Sequence, residues 1–129
     1  MGAFSDYLEQ ALLNHVLRGD SDDTAFEQPL EIWISLHDDH PDGDGNHEIG
    51  GGSYGRQSVI FSEPSGNLVI NDNDVEFEDL PEVTIRWIGL WDAEAGGNFL
   101  YQGELGTPRQ ASSGDNLTFN AGGFGVRHD

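Results

Sequence analysis

The chain has 129 residues, no cysteine, and 24 acidic residues against 5 basic ones, for a formal net charge of −19. The length suits a single domain that buries one core, and the missing cysteine excludes a disulfide framework and thiol chemistry. All five basic residues are arginines (Arg18, Arg56, Arg86, Arg109 and Arg127), too few and too scattered for direct binding to a phosphate backbone, so no nucleic-acid partner is expected.

Such a chain repels itself at low salt. At about 1 M salt the screening length falls to roughly 3 Å and the penalty largely disappears. The acidity therefore reads as adaptation to a saline milieu, with carboxylates keeping a hydrated surface soluble. The competing reading is that the acid binds metal or a basic partner. No apolar run approaches the roughly 20 residues of a membrane helix, so no membrane partner is expected. The first 18 residues lack a basic start and carry Asp6 and Glu9, unlike a secretory leader.

The first element is a helix over Ser5 to Arg18. Ser5 can cap it, Asp6 and Glu9 sit near its positive end, and Gly19 suits its stop. Leu8, Leu12 and Val16 recur every four residues as an apolar stripe, widened by Tyr7, Leu13 and Leu17. A helix this short is marginal alone in water, so the stripe needs cover. The cover is either the chain's own sheet or a neighbouring subunit, which makes Leu8, Leu12 and Val16 the candidate oligomer contacts.

Residues 20–29 read as an acidic linker. Leu30, Ile32, Ile34 and Leu36 then alternate with Glu31, Trp33, Ser35 and His37, the period-2 pattern of a half-buried strand. Trp33 falls on the outer face, where the helix or a partner would cover it. The segment His37 to Gly52 reads as a long loop. Strands are expected over Arg56 to Ser62, Leu68 to Ile70 and Val75 to Phe77, with turns at Pro64 to Asn67 and Asn71 to Asp74. Val83 to Leu105 is the centre of the pattern, a hairpin carrying two of the three tryptophans, Trp87 and Trp91. Its loop, Asp92 to Asn98, contains the Gly96-Gly97 pair that a reversal needs. Thr107-Pro108 should break the chain, and strands over Asn116 to Phe119 and Phe124 to Arg127 should close it. About eight short strands behind one helix predict a mainly β protein: an antiparallel β-sandwich, jelly-roll-like, with one N-terminal α-helix. The helix takes residues 1–19 and the sandwich residues 20–129.

Four chemistries can be weighed. Asp42, Asp44, Asn46 and Glu48 alternate with Gly43 and Gly45, as the start of a Ca²⁺ loop does, but His47 stands where such a loop needs glycine and Ser53 where it needs glutamate. His37, His40 and His47 share the segment and would suit a transition metal, without any established zinc spacing. No hydrolase, zincin, P-loop or dinucleotide motif is present, so catalysis is not expected. Trp33, Tyr54, Trp91 and Tyr101 are aromatics that a carbohydrate site could use, with Tyr54 and Trp91 the first candidates. Core packing is the competing role for Trp91 and Tyr101.

Taken in order, five segments resemble small virion proteins of tailed viruses, often labelled tail-fibre or minor structural proteins. They are the helix from Leu8 to Arg18 (LEQALLNHVLR), the strand IWISLHDDHP at Ile32 to Pro41, EIGGGSYGRQ at Glu48 to Gln57, GLWDAEAGGNFLYQGEL at Gly89 to Leu105, and SGDNLTFNAGGFGV at Ser113 to Val126. The resemblance implies a β-sandwich and a non-enzymatic structural role in the virion, within a symmetric oligomer and beside other capsid or tail proteins. It supplies no catalytic residues. The place in the particle stays open between a tail fibre and a capsid-surface piece such as a turret or cement protein. The unusual acidity adds the expectation of a halophilic host, an archaeon. The alternative function is a carbohydrate-binding module that recognises a host-surface glycan.

Overall fold

A computed structural model describes residues 5–17, 31–63, 65–66, 68–123 and 125–127. Helix α1 spans Asp6–Leu17 and is followed by eight strands: β1 Ile32–His37, β2 Gln57–Val59, β3 Leu68–Ile70, β4 Val75–Leu80, β5 Val83–Trp91, β6 Phe99–Ala111, β7 Asp115–Phe119 and β8 Gly125–Arg127. The protein is mainly β and every named ladder is antiparallel. One sheet runs β2-β1-β5-β6, and β3 pairs with β8 and β4 with β7 in two-stranded ladders.

Alternation builds the core. Ile34 and Leu36 of β1, Ile85 and Leu90 of β5 and Val59 of β2 meet Val75, Phe77 and Leu80 of β4 and Phe119 of β7 in one apolar cluster. Phe77 sits edge-on to Phe119 and stacks on Tyr54. The four-stranded sheet and the β4–β7 ladder are therefore the two layers of a sandwich. The β3–β8 ladder is a separate two-stranded sheet.

Three expectations are revised by the packing. The outer face of β1 is not open: Ser35 and His37 have no exposed surface. That face is covered by Trp91, Phe99 and the 41–47 loop, which a pattern confined to β1 does not reveal. The hairpin does not end at Leu105, because β6 runs through Thr107-Pro108 to Ala111. Proline is tolerated there because β6 is an edge strand and the ladder is bulged: the register moves from Trp87 opposite Glu104 to Ile85 opposite Arg109. Finally, the strand expected over Arg56 to Ser62 is regular only at β2, followed by a single bridge between Phe61 and Asn71.

Ser5 caps α1 as its type predicts: its Oγ accepts from the Leu8 N–H at 3.1 Å. The same hydroxyl donates to the Phe99 carbonyl, the Ser5 N–H donates to the Leu100 carbonyl at 2.8 Å, and the Asp6 N–H donates to the Gly43 carbonyl at 3.0 Å. The first turn of the helix is thus pinned to the start of β6 and to the acidic loop.

Candidate functional site

The densest polar constellation lies at the turn end of the central hairpin, on the outer face of β1. Its first part is a relay. The indole Nε1–H of Trp91 donates to Ser35 Oγ at 2.8 Å, Ser35 Oγ lies 2.6 Å from His37 Nε2, and His37 Nδ1 lies 2.7 Å from the Asn46 carbonyl. A carbonyl only accepts, so Nδ1 carries a proton. The indole only donates, so Ser35 gives its own proton to Nε2. The chain closes with neutral imidazole and every site filled. Burial lowers the His37 pKa from its ordinary 6.5, outweighing the bond to Asn46 and the nearby Glu48 carboxylate.

The second part is centred on Arg56, whose side chain is 8% exposed. Its Nε and Nη2 donate to Glu48 at 3.0 and 2.9 Å, and its Nη1 donates to the Ala93 and Gly96 carbonyls of the hairpin loop at 3.1 and 2.9 Å. Its guanidinium carbon lies 3.7 Å over the Trp91 ring. The fixed fork of arginine serves these partners together, which a lysine ammonium cannot do. Tyr54 completes the group: its hydroxyl donates to Glu48 at 2.7 Å and accepts from the Leu36 N–H at 3.1 Å. Burial pushes the Glu48 carboxyl up, but the bonds from Arg56 and Tyr54 prevail and hold it below its ordinary 4.5. Burial and the Glu48 carboxylate both drive the Tyr54 hydroxyl well above its ordinary value.

Glycines let these parts approach. A Cβ on Gly89 would lie 2.5 Å from Phe99, 2.7 Å from Ser35 Oγ and 2.8 Å from His37 Nε2. One on Gly45, which has φ +81°, would lie 2.4 Å from the Trp91 ring. The acidic loop is therefore organised by packing. Pro41 and Gly43 are buried while Asp42, Asp44 and Asn46 are exposed, and the Gly43 N–H donates to Gln102 Oε1 at 2.9 Å.

The residues expected at functional sites are distributed accordingly. Asp42 and Asp44 point outward, while Glu48 turns back to Arg56 and Tyr54, and no group of three or more histidine, aspartate or glutamate side chains converges among the described residues. The two aromatics read as sugar contacts are packed: Trp91 is 8% exposed with its N–H taken by Ser35, and Tyr54 lies against Phe77. Leu8 is buried by its own chain, Leu12 is half-buried, and the side chain of Val16 lies outside the described residues. Trp33 is half-buried and pairs in register with Trp91. Sequence reasoning missed Arg56 and Gly89. The signals available were an arginine rare in this chain and a glycine inside an otherwise apolar strand, which marks a close approach.

Chemically, Ser35 and His37 have the spacing of a nucleophile and its base. Both are sealed, and Trp91 and Phe99 close over them, so no substrate reaches the hydroxyl. No buried side-chain nitrogen or oxygen lacks a partner among the described residues. The constellation holds strands, loop and helix together.

Comparison with known proteins gives one family. The profile described as "Podophage GP4 fiber I protein gp80" matches residues 3–127. No curated protein matches the chain.

Proposed function

The chain belongs to this family of podophage fibre proteins, and from that premise we propose that it is a rigid structural unit of a virion fibre, repeated by the particle's symmetry and held by neighbouring virion proteins. One observation supports an architectural role above the others. The Ser35–His37 pair, which has nucleophile–base geometry, is enclosed in a hydrogen-bonded network that ties β1, β5, β6, the acidic loop and the cap of α1 into one body. Rigidity of that kind suits a part that transmits position.

A symmetric homo-oligomer is the natural state of such a part. The apolar side chains that α1 leaves exposed are Leu13, at 58%, and Tyr7, at 37%; Leu8 serves the chain's own fold. The net charge of −19 opposes association at low salt, so we place assembly in a saline medium, as for a virus of a halophile.

The test is the mass of the purified protein by light scattering, in roughly 2–3 M salt and again in dilute buffer, together with mass spectrometry of purified virions. The expected result is a defined oligomer at high salt and one fixed copy ratio to the major fibre and capsid proteins. Absence from purified particles would sink the structural reading. A monomer at every salt concentration would sink self-assembly and leave attachment through other virion proteins. Chelator in the same experiment bears on Asp42, Asp44, Asn46 and Glu48 as a Ca²⁺ site: an oligomer lost on chelation would make the loop a functional site, and an unchanged one would leave metal at most a weak structural role.

A further inference from the structure

The four-stranded sheet has two different edges. Its order, β2-β1-β5-β6, leaves β2 at one side and β6 at the other. Just beyond β2 the chain carries the most exposed of the described large hydrophobics, Ile60, at 63%. The backbone holds it outward. Phe61 and Asn71 form an antiparallel bridge and Asn71 is buried, so their neighbours Ile60, Ile70 and Asp72 stand on the opposite, outer face. The Asp72 N–H donates to the Ile60 carbonyl at 2.7 Å, which sets an exposed aspartate directly across from the isoleucine. Ile70, 39% exposed, is the diagonal neighbour of Ile60. This edge is an apolar knob with a negative charge beside it.

The β6 edge is its complement. Leu105, Gly106, Thr107 and Pro108 stand opposite the single Arg86 of β5. On the core side of this bulge lies a cavity of about 390 Å³, bounded by Ile88, Leu105, Thr107, Arg109 and Phe119 among others. A cavity of roughly 150 Å³ already takes a benzene ring, so this one has room for an aliphatic side chain. Register fixes its charge. Arg109 stands opposite Ile85, a core residue, and so faces the cavity side. Glu104 stands opposite Trp87, which pairs in turn with His37 on the outer face, and so belongs to the other side of the sheet. Arg109 forms no ion pair with a described residue within 4.0 Å. This edge is an apolar hole with an unpaired positive charge at its rim.

In a chain of net charge −19, copies meet with least repulsion where the surface carries no acid. Gln57 to Ser62 and Leu105 to Pro108 contain no charged residue, and the charges set beside them, Asp72 and Arg109, are opposite in sign. We propose that copies of this chain join edge to edge, with Ile60 of one protomer entering the cavity beneath β6 of its neighbour and Asp72 against Arg109. Knob and hole lie at opposite edges of one sheet, so the contact is head-to-tail and repeats until it closes a ring or continues as a filament. The inference rests on the symmetric-oligomer reading and assigns the surface that such an oligomer uses.

Light scattering on the full chain in roughly 2–3 M salt tests the contact, with the wild type, Ile60→Asp, Arg109→Asp and Leu13→Asp compared and each checked for its β signal by circular dichroism. The expected result is an oligomer for the wild type and Leu13→Asp, and monomers for Ile60→Asp and Arg109→Asp. Asp72→Arg combined with Arg109→Asp should restore assembly, because the exchange keeps the charges opposite. The two monomeric variants, when mixed, should form a 1:1 complex and go no further, since one brings an intact hole and the other an intact knob. A wild-type monomer would fell the oligomer reading and this contact together. A wild-type oligomer that survives Ile60→Asp or Arg109→Asp, that is lost with Leu13→Asp, or whose monomeric variants fail to combine overturns this contact and leaves the oligomer reading standing.

Discussion

The two ends of the β5–β6 hairpin use the same strands to opposite effect. At the turn end the register is close, Gly89 lets Phe99, Ser35 and His37 crowd together, and polar side chains are consumed by one another. At the far end a bulge interrupts the register, and Glu104, Thr107, Arg109 and Gln110 are exposed. The difference teaches that a polar residue becomes structural or available according to how closely the backbones pass. The two arginines make the contrast plain. Arg56 is buried with carboxylate, carbonyl and indole partners, whereas Arg109 is exposed and lines two cavities.

The contrast is broken most severely at Arg56. Arg56→Ala strands the Glu48 carboxylate among half-buried groups, frees the hairpin loop and uncovers Trp91. The expected loss is about 3–5 kcal/mol, the usual result of removing one member of a buried pair, read as the midpoint of urea unfolding. Arg56→Lys should recover only part of it, since a point charge cannot serve Glu48 and two carbonyls together. Full recovery by lysine would mean that charge alone matters and that the fork geometry is incidental.

A smaller loss is expected at Gly89. Gly89→Ala forces a methyl against Phe99, Ser35 and His37 at 2.5–2.8 Å, an overpacking of about 1–3 kcal/mol. Gly106→Ala, in the bulge of the same hairpin, meets nothing within 4 Å and should cost within about 0.5 kcal/mol. Equal losses in the two variants would erase the distinction between a close end and an open end.

Much of this architecture is legible in the residues. The helix with its Ser5 cap follows from local chemistry, and the hairpin about Gly96-Gly97 from alternation and turn signals. The apolar partners Ile34 and Leu36 follow from the same period, whereas Ile85 and Leu90, five residues apart, share the core only across the register shift between Ile85 and Trp87. What is hidden is long-range. Ser35 and His37 look like the wet face of a strand because nothing in their own segment announces that Trp91, Phe99 and Asn46 will cover them. The Asp42 to Glu48 run looks like a cation loop because glycine between acids is common to both designs. Here the glycines face inward and Asp42 and Asp44 outward, while Glu48 belongs to Arg56. The bulge opposite Arg86 is a register shift, which no single-strand pattern encodes.

Acid should sharpen the comparison, because the turn end holds its histidine neutral. The folded pKa of His37 lies below 6.5, so the unfolded chain takes up a proton first as pH falls. Stability from this group is full above pH 6.5 and declines below it. The Glu48 contribution, with a folded pKa below 4.5, survives that step and is lost only at lower pH as the carboxylate protonates. Urea midpoints at pH 7.5, 5.5 and 4 should therefore fall in two stages. His37→Gln should flatten the first stage and leave the second in place. A first stage unchanged by that variant would mean that His37 is not its source, and the relay would lose its claim to be pH-sensitive.

The smallest effect on stability is expected at Arg109, and it is the most informative. Arg109→Ala removes an exposed side chain with no ion pair among the described residues, and surface changes of this kind move stability by about 0.5 kcal/mol or less. By relieving none of the packing it should leave the unfolding midpoint where it was. Arg56→Ala, at the other end of the hairpin, should do the reverse and unfold more readily. If Arg109→Ala were as destabilising as Arg56→Ala, Arg109 would be a packed joint of β6 and not an available side chain.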